Sequence, residues 1–264
     1  MKHLLAPQNR EALEQLAWSN VLLGFDYDGT LAPIVDAPDQ ARMRPRTREL
    51  FQQVAALYPT IVISGRAQAD IMKRVRGVPI REVIGNHGLE PWRYGGAFAA
   101  DVRRWIPRLQ AALDGIKGIF IEDKVFSLAI HYRNAREKRA ARAAIHAAIA
   151  TLGPARVVGG KLVVNLLSEK APHKGLALLA ARDRCGCDTA FYIGDDQTDE
   201  DVFGLEDPGR LLTVRVAESR RSQARYFIRR QSEIDALLQA LVACRRRGPR
   251  PAWIDEPGDD RGAA

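Results

Sequence analysis

The sequence predicts an α/β fold: a Rossmann-like parallel sheet covered by helices, with a smaller α+β domain inserted into it. Three observations carry this reading. Short apolar runs that end in a polar loop and lead into helical spacing recur from residue 21 to residue 84, the alternation of a parallel sheet with helices on both faces. The run at 126–133 has another period, with Phe126, Leu128, Ile130 and Tyr132 alternating with Ser127, Ala129, His131 and Arg133. The first pattern then returns at 189–193 and 211–216. A chain of 264 residues has room for a core plus an insertion. The boundaries read as core over 1–98, α+β insertion over 99–169, core again over 170–244, and a flexible basic and acidic tail over 245–264.

Residues 9–18 carry Leu13 and Leu16 at helical spacing and lead into the first strand at 21–25. Asp26-Tyr27-Asp28-Gly29-Thr30 follows, so two carboxylates stand two residues apart at a strand end, with side chains expected to point the same way. Pro45 suits a helix first turn, and Leu50, Val54 and Leu57 mark that helix's apolar face. A second strand at 60–63 stops at Ser64-Gly65-Arg66, and a third at 82–84 stops at Gly85-Asn86-His87-Gly88. Val102, Trp105, Ile106 and Leu109 form the next helix face, which Pro107 is expected to kink or start late. The strand at 126–133 reads as open to solvent on the face of Ser127, His131 and Arg133.

An Ala-rich helix spans 135–152, and 156–158 pairs with 162–164 in a hairpin turning at Gly159-Gly160, which sets Lys161 and Asn165 on one face. His173-Lys174-Gly175 opens another helix. The strand at 189–193 ends in Gly194-Asp195-Asp196-Gln197-Thr198-Asp199-Glu200-Asp201, 211–216 is a strand, and 234–241 is the terminal helix.

Composition narrows the function. Hydrophobic residues make up 46% and charged residues 27%, and no run approaches a membrane span. The N-terminus lacks the apolar stretch of a secretion signal, which predicts a cytoplasmic protein. Three cysteines without a second pair or nearby histidines predict reduced structural thiols rather than a zinc site. The formal charge of +8 raises nucleic-acid binding, but the arginines are scattered among acids and the tight cluster Arg245-Arg246-Arg247 sits beside prolines. An anionic small substrate explains the charge equally well. The expectation is a monomer with a phosphorylated sugar substrate, no nucleic acid and no membrane partner.

Polar groups end several core segments: Asp26 and Asp28, Ser64, Lys174, and Asp195 with Asp196 and Asp199. In one parallel sheet these ends converge, and so many carboxylates repel unless a hard cation offsets them. Mg²⁺ suits oxygen ligands and keeps several waters, and no His or Cys cluster offers a softer site.

The ordered set Asp26-Tyr27-Asp28-Gly29-Thr30-Leu31, Ser64-Gly65-Arg66, His173-Lys174-Gly175 and Gly194 to Asp201 resembles the four motifs of the haloacid dehalogenase-type (HAD) phosphatases. Within that superfamily the chain resembles the trehalose-6-phosphate phosphatase family, through Gly85 to Glu90, Glu122-Asp123-Lys124, Ser127 to Arg133 and Gly160-Lys161. The resemblance implies a HAD core with a C2B-type cap, and Mg²⁺-dependent hydrolysis of trehalose 6-phosphate through an aspartyl-phosphate.

It also implies roles. Asp26 is the nucleophile and Asp28 the general acid-base, while Ser64 and Lys174 hold the phosphoryl oxygens. Asp26, Asp195 and Asp196 bind the metal together with a backbone carbonyl near Asp28. Asp199 is a ligand, a partner of the ligands or a helix cap. Arg66, Asn86, His87, Glu122, Lys124, His131, Arg133, Lys161 and Asn165 are implied to bind substrate. One departure stands out: Asn165 occupies the place where the family reads Glu, which leaves open a phosphatase for another phosphorylated glycoside or sugar. A non-catalytic sugar-phosphate-binding regulator is the alternative of another class.

Overall fold

The computed structural model describes residues 1–91, 96–160, 162–169, 171–207 and 209–248. Its main sheet is built from β1 (Lys2–His3), β2 (Val21–Phe25), β3 (Thr60–Ile63), β4 (Glu82–Ile84), β9 (Thr189–Gly194), β10 (Leu211–Val216) and β11 (Tyr226–Ile228). The order is β1-β11-β10-β9-β2-β3-β4, with every neighbouring pair parallel. β2, β3 and β9 are adjacent central strands, so their carboxyl ends share one edge.

Period-two alternation sends Val21, Leu23 and Phe25 to one face and Leu22 to the other. The first face is covered by α1 (Arg10–Trp18), α2 (Pro45–Leu57), Ile71 of α3 (Gln68–Arg74) and α8 (Ile234–Arg247). The second is covered by α6 (Lys174–Arg184) and α7 (Glu200–Phe203). Pro45 sits in the first turn of α2 as expected. β1 and β11 escaped the sequence reading because two or three residues are too few to display a period.

A second, four-stranded antiparallel sheet joins β5 (Phe120–Asp123), β6 (Ser127–His131), β8 (Val163–Ser168) and β7 (Ala155–Gly160), in that order. With α4 (Gly96–Leu113) and α5 (Lys138–Ala150) it encloses its own core around Trp105, Ile130, Ile145 and Leu166. α4 runs through Pro107.

Three expectations change here. The face of β6 read as open is closed at Ser127 and Ala129, which are 2% and 1% exposed. It turns toward the main unit, where Val158 and Leu167 of this sheet pack on Leu89. The hairpin does not turn at Gly159-Gly160: both glycines belong to β7, where Gly159 pairs with Val164 and Gly160 with Val163, and Leu162 has φ 61. Lys161 lies outside the described residues, so its shared face with Asn165 is an expectation only. Finally, the terminal helix continues past 241 to Arg247. Arg245 leaves the expected tail: its guanidinium lies over Trp18 and Tyr58 and donates to the Ala17 carbonyl at 2.7 Å.

Candidate active site

Asp26 leaves β2 with its amide donating to Ile193 of β9 at 2.9 Å, so its position is fixed by the sheet. Its carboxylate meets Lys174 Nζ at 3.0 Å, and the same ammonium reaches Asp199 at 2.8 Å. Lys174 is the first residue of α6, whose entry is capped by the His173 ring accepting from Gly175 N. All three charged groups are buried. Asp199 also accepts from the Tyr192 hydroxyl at 2.7 Å and from the Asp196 amide at 3.0 Å. It precedes α7, but its side chain does not cap that helix. Of the roles open for it, the cap is thereby removed.

Asp28 parts from Asp26. The strand ends at Phe25, the chain reverses with Gly29 at φ 80, and Asp28 bridges Ala32, so strand alternation no longer governs its direction. Its carboxylate is gripped by Arg66, Nε to Oδ2 at 2.5 Å and Nη2 to Oδ1 at 2.8 Å. Arg66 in turn donates to Asp70 at 3.0 Å. The Ser64 hydroxyl, buried at the end of β3, accepts from the Arg66 amide at 3.2 Å and keeps its own proton to donate.

Oxygens of Asp26, Asp195 and Asp199 lie within 4.8 Å of one another. Asp195 Oδ1 is buried without a hydrogen-bond partner among the described residues. Burial, with Asp199 and Asp196 beside it, pushes the Asp195 carboxyl up to about 8. Burial likewise raises Asp26, only partly offset by Lys174. The acids outweigh burial at Lys174 and hold its ammonium well above the ordinary lysine range. An orphaned buried carboxylate oxygen facing two further acids fits a hard divalent cation, and Asp26, Asp195 and Asp199 would hold it. The Asp28 and Asp196 carboxylates stand outside that group. Asp196 Oδ1 accepts from the amide and hydroxyl of Thr198 at 2.8 and 2.6 Å. Its carboxyl is held low by Lys174 and these bonds, against the effect of burial.

The residues implied to bind substrate divide. Asn86 is fully buried and donates to the Lys124 carbonyl at 3.2 Å. His87 is buried against Gly65, and burial with the nearby Lys174 and Lys124 cations holds its imidazole neutral. Lys124 reaches across from the smaller unit to the Gly65 carbonyl at 3.3 Å. Glu122 pairs with His131 at 2.9 Å, and this bond lowers its carboxyl. Arg133 donates to the Asp36 carbonyl. Asn165 faces the main unit opposite Ala129 and Val158.

The sequence reading passed over Tyr192, Arg215 and Asp70. Arg215 donates to the Asp195 carbonyl at 2.6 Å and to the Asp196 carbonyl at 3.2 Å, fixing the acidic loop. An arginine inside the apolar run 211–216 was the available signal.

The trehalose-phosphatase family model matches residues 24–232. The chain belongs to the trehalose-phosphatase family. Among curated relatives, trehalose-phosphate phosphatase of Mycobacterium avium is 38% identical over 205 residues, covering 71% of this chain and 52% of that protein. Its counterpart in Mycobacterium tuberculosis is 36% identical over 207 residues, covering 72% and 53%. The chain thus spans about half the length of the curated relatives it matches. The fold is shared with the C-terminal domain of Candida albicans trehalose-6-phosphate phosphatase, at a TM-score of 0.75 and 21% identity over 89% of this chain and 97% of that one. It is also shared with the Synechocystis sucrose-phosphatase, at a TM-score of 0.59 and 16% identity over 86% and 98%. Membership of the trehalose-phosphatase family and these neighbours make the parallel-sheet core that of the HAD phosphatases. No helix among the described residues is long and apolar enough to cross a membrane.

Proposed function

We propose that the protein is a phosphatase that hydrolyses trehalose 6-phosphate to trehalose and phosphate. The observation that carries this reading is the buried Asp26-Lys174-Asp199 triplet beside a second acid, Asp28, held apart by its own arginine. The two carboxylates of one loop therefore have different surroundings and different work.

Asp26 attacks phosphorus, and the bond to the sugar oxygen breaks as the bond to Asp26 forms. Asp28 delivers a proton to the departing oxygen. It then takes one from the water that attacks the aspartyl-phosphate, which returns Asp26 and frees phosphate. Lys174 and Ser64 hold phosphoryl oxygens and offset the charge that develops on them. A divalent cation, Mg²⁺ by its preference for carboxylate and water ligands, supplies Lewis-acid charge compensation when bound. The smaller unit over 99–169 acts as a cap, and Lys124, which already crosses to Gly65, closes it over the loop that carries Arg66.

The test is phosphate release from a panel of sugar phosphates by the unmodified chain and by Asp26→Asn. Release that survives the substitution removes the nucleophile. Asn165 in place of an acid favours a second reading, a phosphatase for another glycoside phosphate, which preference for glucose 6-phosphate over the disaccharide would support.

A further inference from the structure

Tyr192 is fully buried in β9, and its ring packs as a core aromatic. It stands opposite Gly24 of β2, where a Cβ would lie 2.9 Å from its Cδ2 and 2.9 Å from Leu178 Cδ1, and it meets the Phe203 ring of α7 at 6.2 Å. Phenylalanine would fill this space equally well. A hydroxyl buried among these residues costs free energy unless it is bonded, so the phenol oxygen needs a reason beyond packing.

The hydroxyl donates to Asp199 Oδ1 at 2.7 Å, its one hydrogen bond among the described residues. Lys174 Nζ donates to the same oxygen at 2.8 Å, and the Asp196 amide donates to Oδ2 at 3.0 Å. The carboxylate lies over Gly194, two residues beyond Tyr192 on the same face of β9, where a Cβ would stand 2.1–2.5 Å from it. An ionised carboxylate has about four lone-pair sites, two on each oxygen. Lys174 and Tyr192 fill those of Oδ1, the Asp196 amide takes one on Oδ2, and a single site remains, on the oxygen turned to the acidic loop. An oxygen of Asp199 lies within 4.8 Å of oxygens of Asp26 and Asp195. Lys174 is shared with Asp26 at 3.0 Å. Without the hydroxyl, Oδ1 is half satisfied and the carboxylate is free to exchange its two oxygens by rotation.

We propose that Tyr192 is a positioning residue for the divalent cation: its hydroxyl saturates Asp199 Oδ1 and turns Oδ2 toward the ion that Asp26 and Asp195 also face. This rests on the divalent cation of the phosphatase reading above.

Mg²⁺ binding to the full chain without substrate, measured by titration calorimetry, tests it for the unmodified chain, Tyr192→Phe and Leu211→Ala. Tyr192→Phe removes one oxygen and keeps the ring, so the packing against Leu178 and Phe203 persists. Leu211→Ala opens a cavity in the same core, at the amino-terminal end of β10 and away from the carboxyl edge, and reports what lost packing alone does. The expected result is a Kd for Mg²⁺ about 10- to 100-fold higher in Tyr192→Phe, the usual effect of removing the partner of a metal ligand. Leu211→Ala is expected to melt at a lower temperature but to keep the Kd of the unmodified chain. A Tyr192→Phe protein that binds Mg²⁺ as tightly as the unmodified chain overturns the inference, whatever its turnover. So does an equal loss of affinity in Leu211→Ala. An unmodified chain that binds Mg²⁺ but releases no phosphate from trehalose 6-phosphate overturns the phosphatase reading and leaves this inference standing, whereas one that binds no Mg²⁺ overturns the cation and the inference together.

Discussion

Arg66 meets both oxygens of Asp28, at 2.5 and 2.8 Å, and carries Asp70 on its remaining amino group at 3.0 Å. Asp70 also accepts from Arg74 at 3.0 Å, so α3 anchors the fork that aims Asp28. The sequence reading gave Arg66 to the substrate; its bonds to Asp28 and Asp70 lead us to propose that it also positions Asp28. A lysine keeps the charge but loses the planar fork. Arg66→Lys is therefore expected to lower kcat about 10- to 100-fold with KM for the sugar phosphate nearly unchanged. Steady-state kinetics check this, and a raised KM with normal kcat would return Arg66 to substrate binding.

Lys174 is 1% exposed between two carboxylates, so its removal leaves like charges facing each other in a dry interior. Lys174→Met should destabilise the fold by about 3–5 kcal/mol, the usual cost of breaking a buried pair from one side. Phosphate release should be lost as well. Urea midpoints at a common slope measure the first effect, and a phosphate assay the second.

The carboxylates also set a pH dependence. Asp195 titrates near 8 in the folded state against an ordinary value of 3.8, so the folded state holds the extra proton between those values. The stability it contributes is complete below the lower value and is lost as pH rises through the upper one. Metal-stripped protein should therefore melt at a lower temperature at about pH 9 than at about pH 6. Added Mg²⁺ should raise the melting temperature more at the alkaline end, where it replaces the missing proton charge. Calorimetry at the two pH values, with and without Mg²⁺, measures both effects; an equal Mg²⁺ increment at each would detach the cation from this cluster.

Gly29 has φ 80, and a Cβ there would stand 2.2–2.5 Å from the carboxylate atoms of Asp195. Gly29→Ala combines backbone strain with displacement of that acid. A loss of about 1 kcal/mol or more in stability is expected, with a weakened response of the melting temperature to Mg²⁺. Thermal melts over a Mg²⁺ titration test it, and an unaltered Mg²⁺ response would show that Asp195 tolerates the intrusion.

Much of this was legible in the chain. Val21–Phe25, Thr60–Ile63 and Thr189–Gly194 are buried strands because each is an apolar run too short for a helix and closed by turn chemistry. Their polar ends, Asp26, Ser64 and Asp195, follow from the same runs. Tyr192 was hidden because a tyrosine within a buried strand reads as core, and only its hydroxyl's contact with Asp199 reveals its polar role. The family resemblance implies that Glu122 and His131 bind substrate; that they also bond each other could not be read from the sequence, because nothing local announces a cross-strand pair.

What the sequence determined by itself is the order of the elements and the set of charged groups at strand ends, because hydrophobic period and turn residues are local properties. What only the tertiary structure decided is which charge meets which. Asp26 and Asp28 are two residues apart, yet one faces Lys174 from residue 174 and the other Arg66 from residue 66. Those partners are chosen by the stacking of β3, β2 and β9 and by α6 docking on one face of the sheet, and the energy of a buried charge depends on that long-range arrangement.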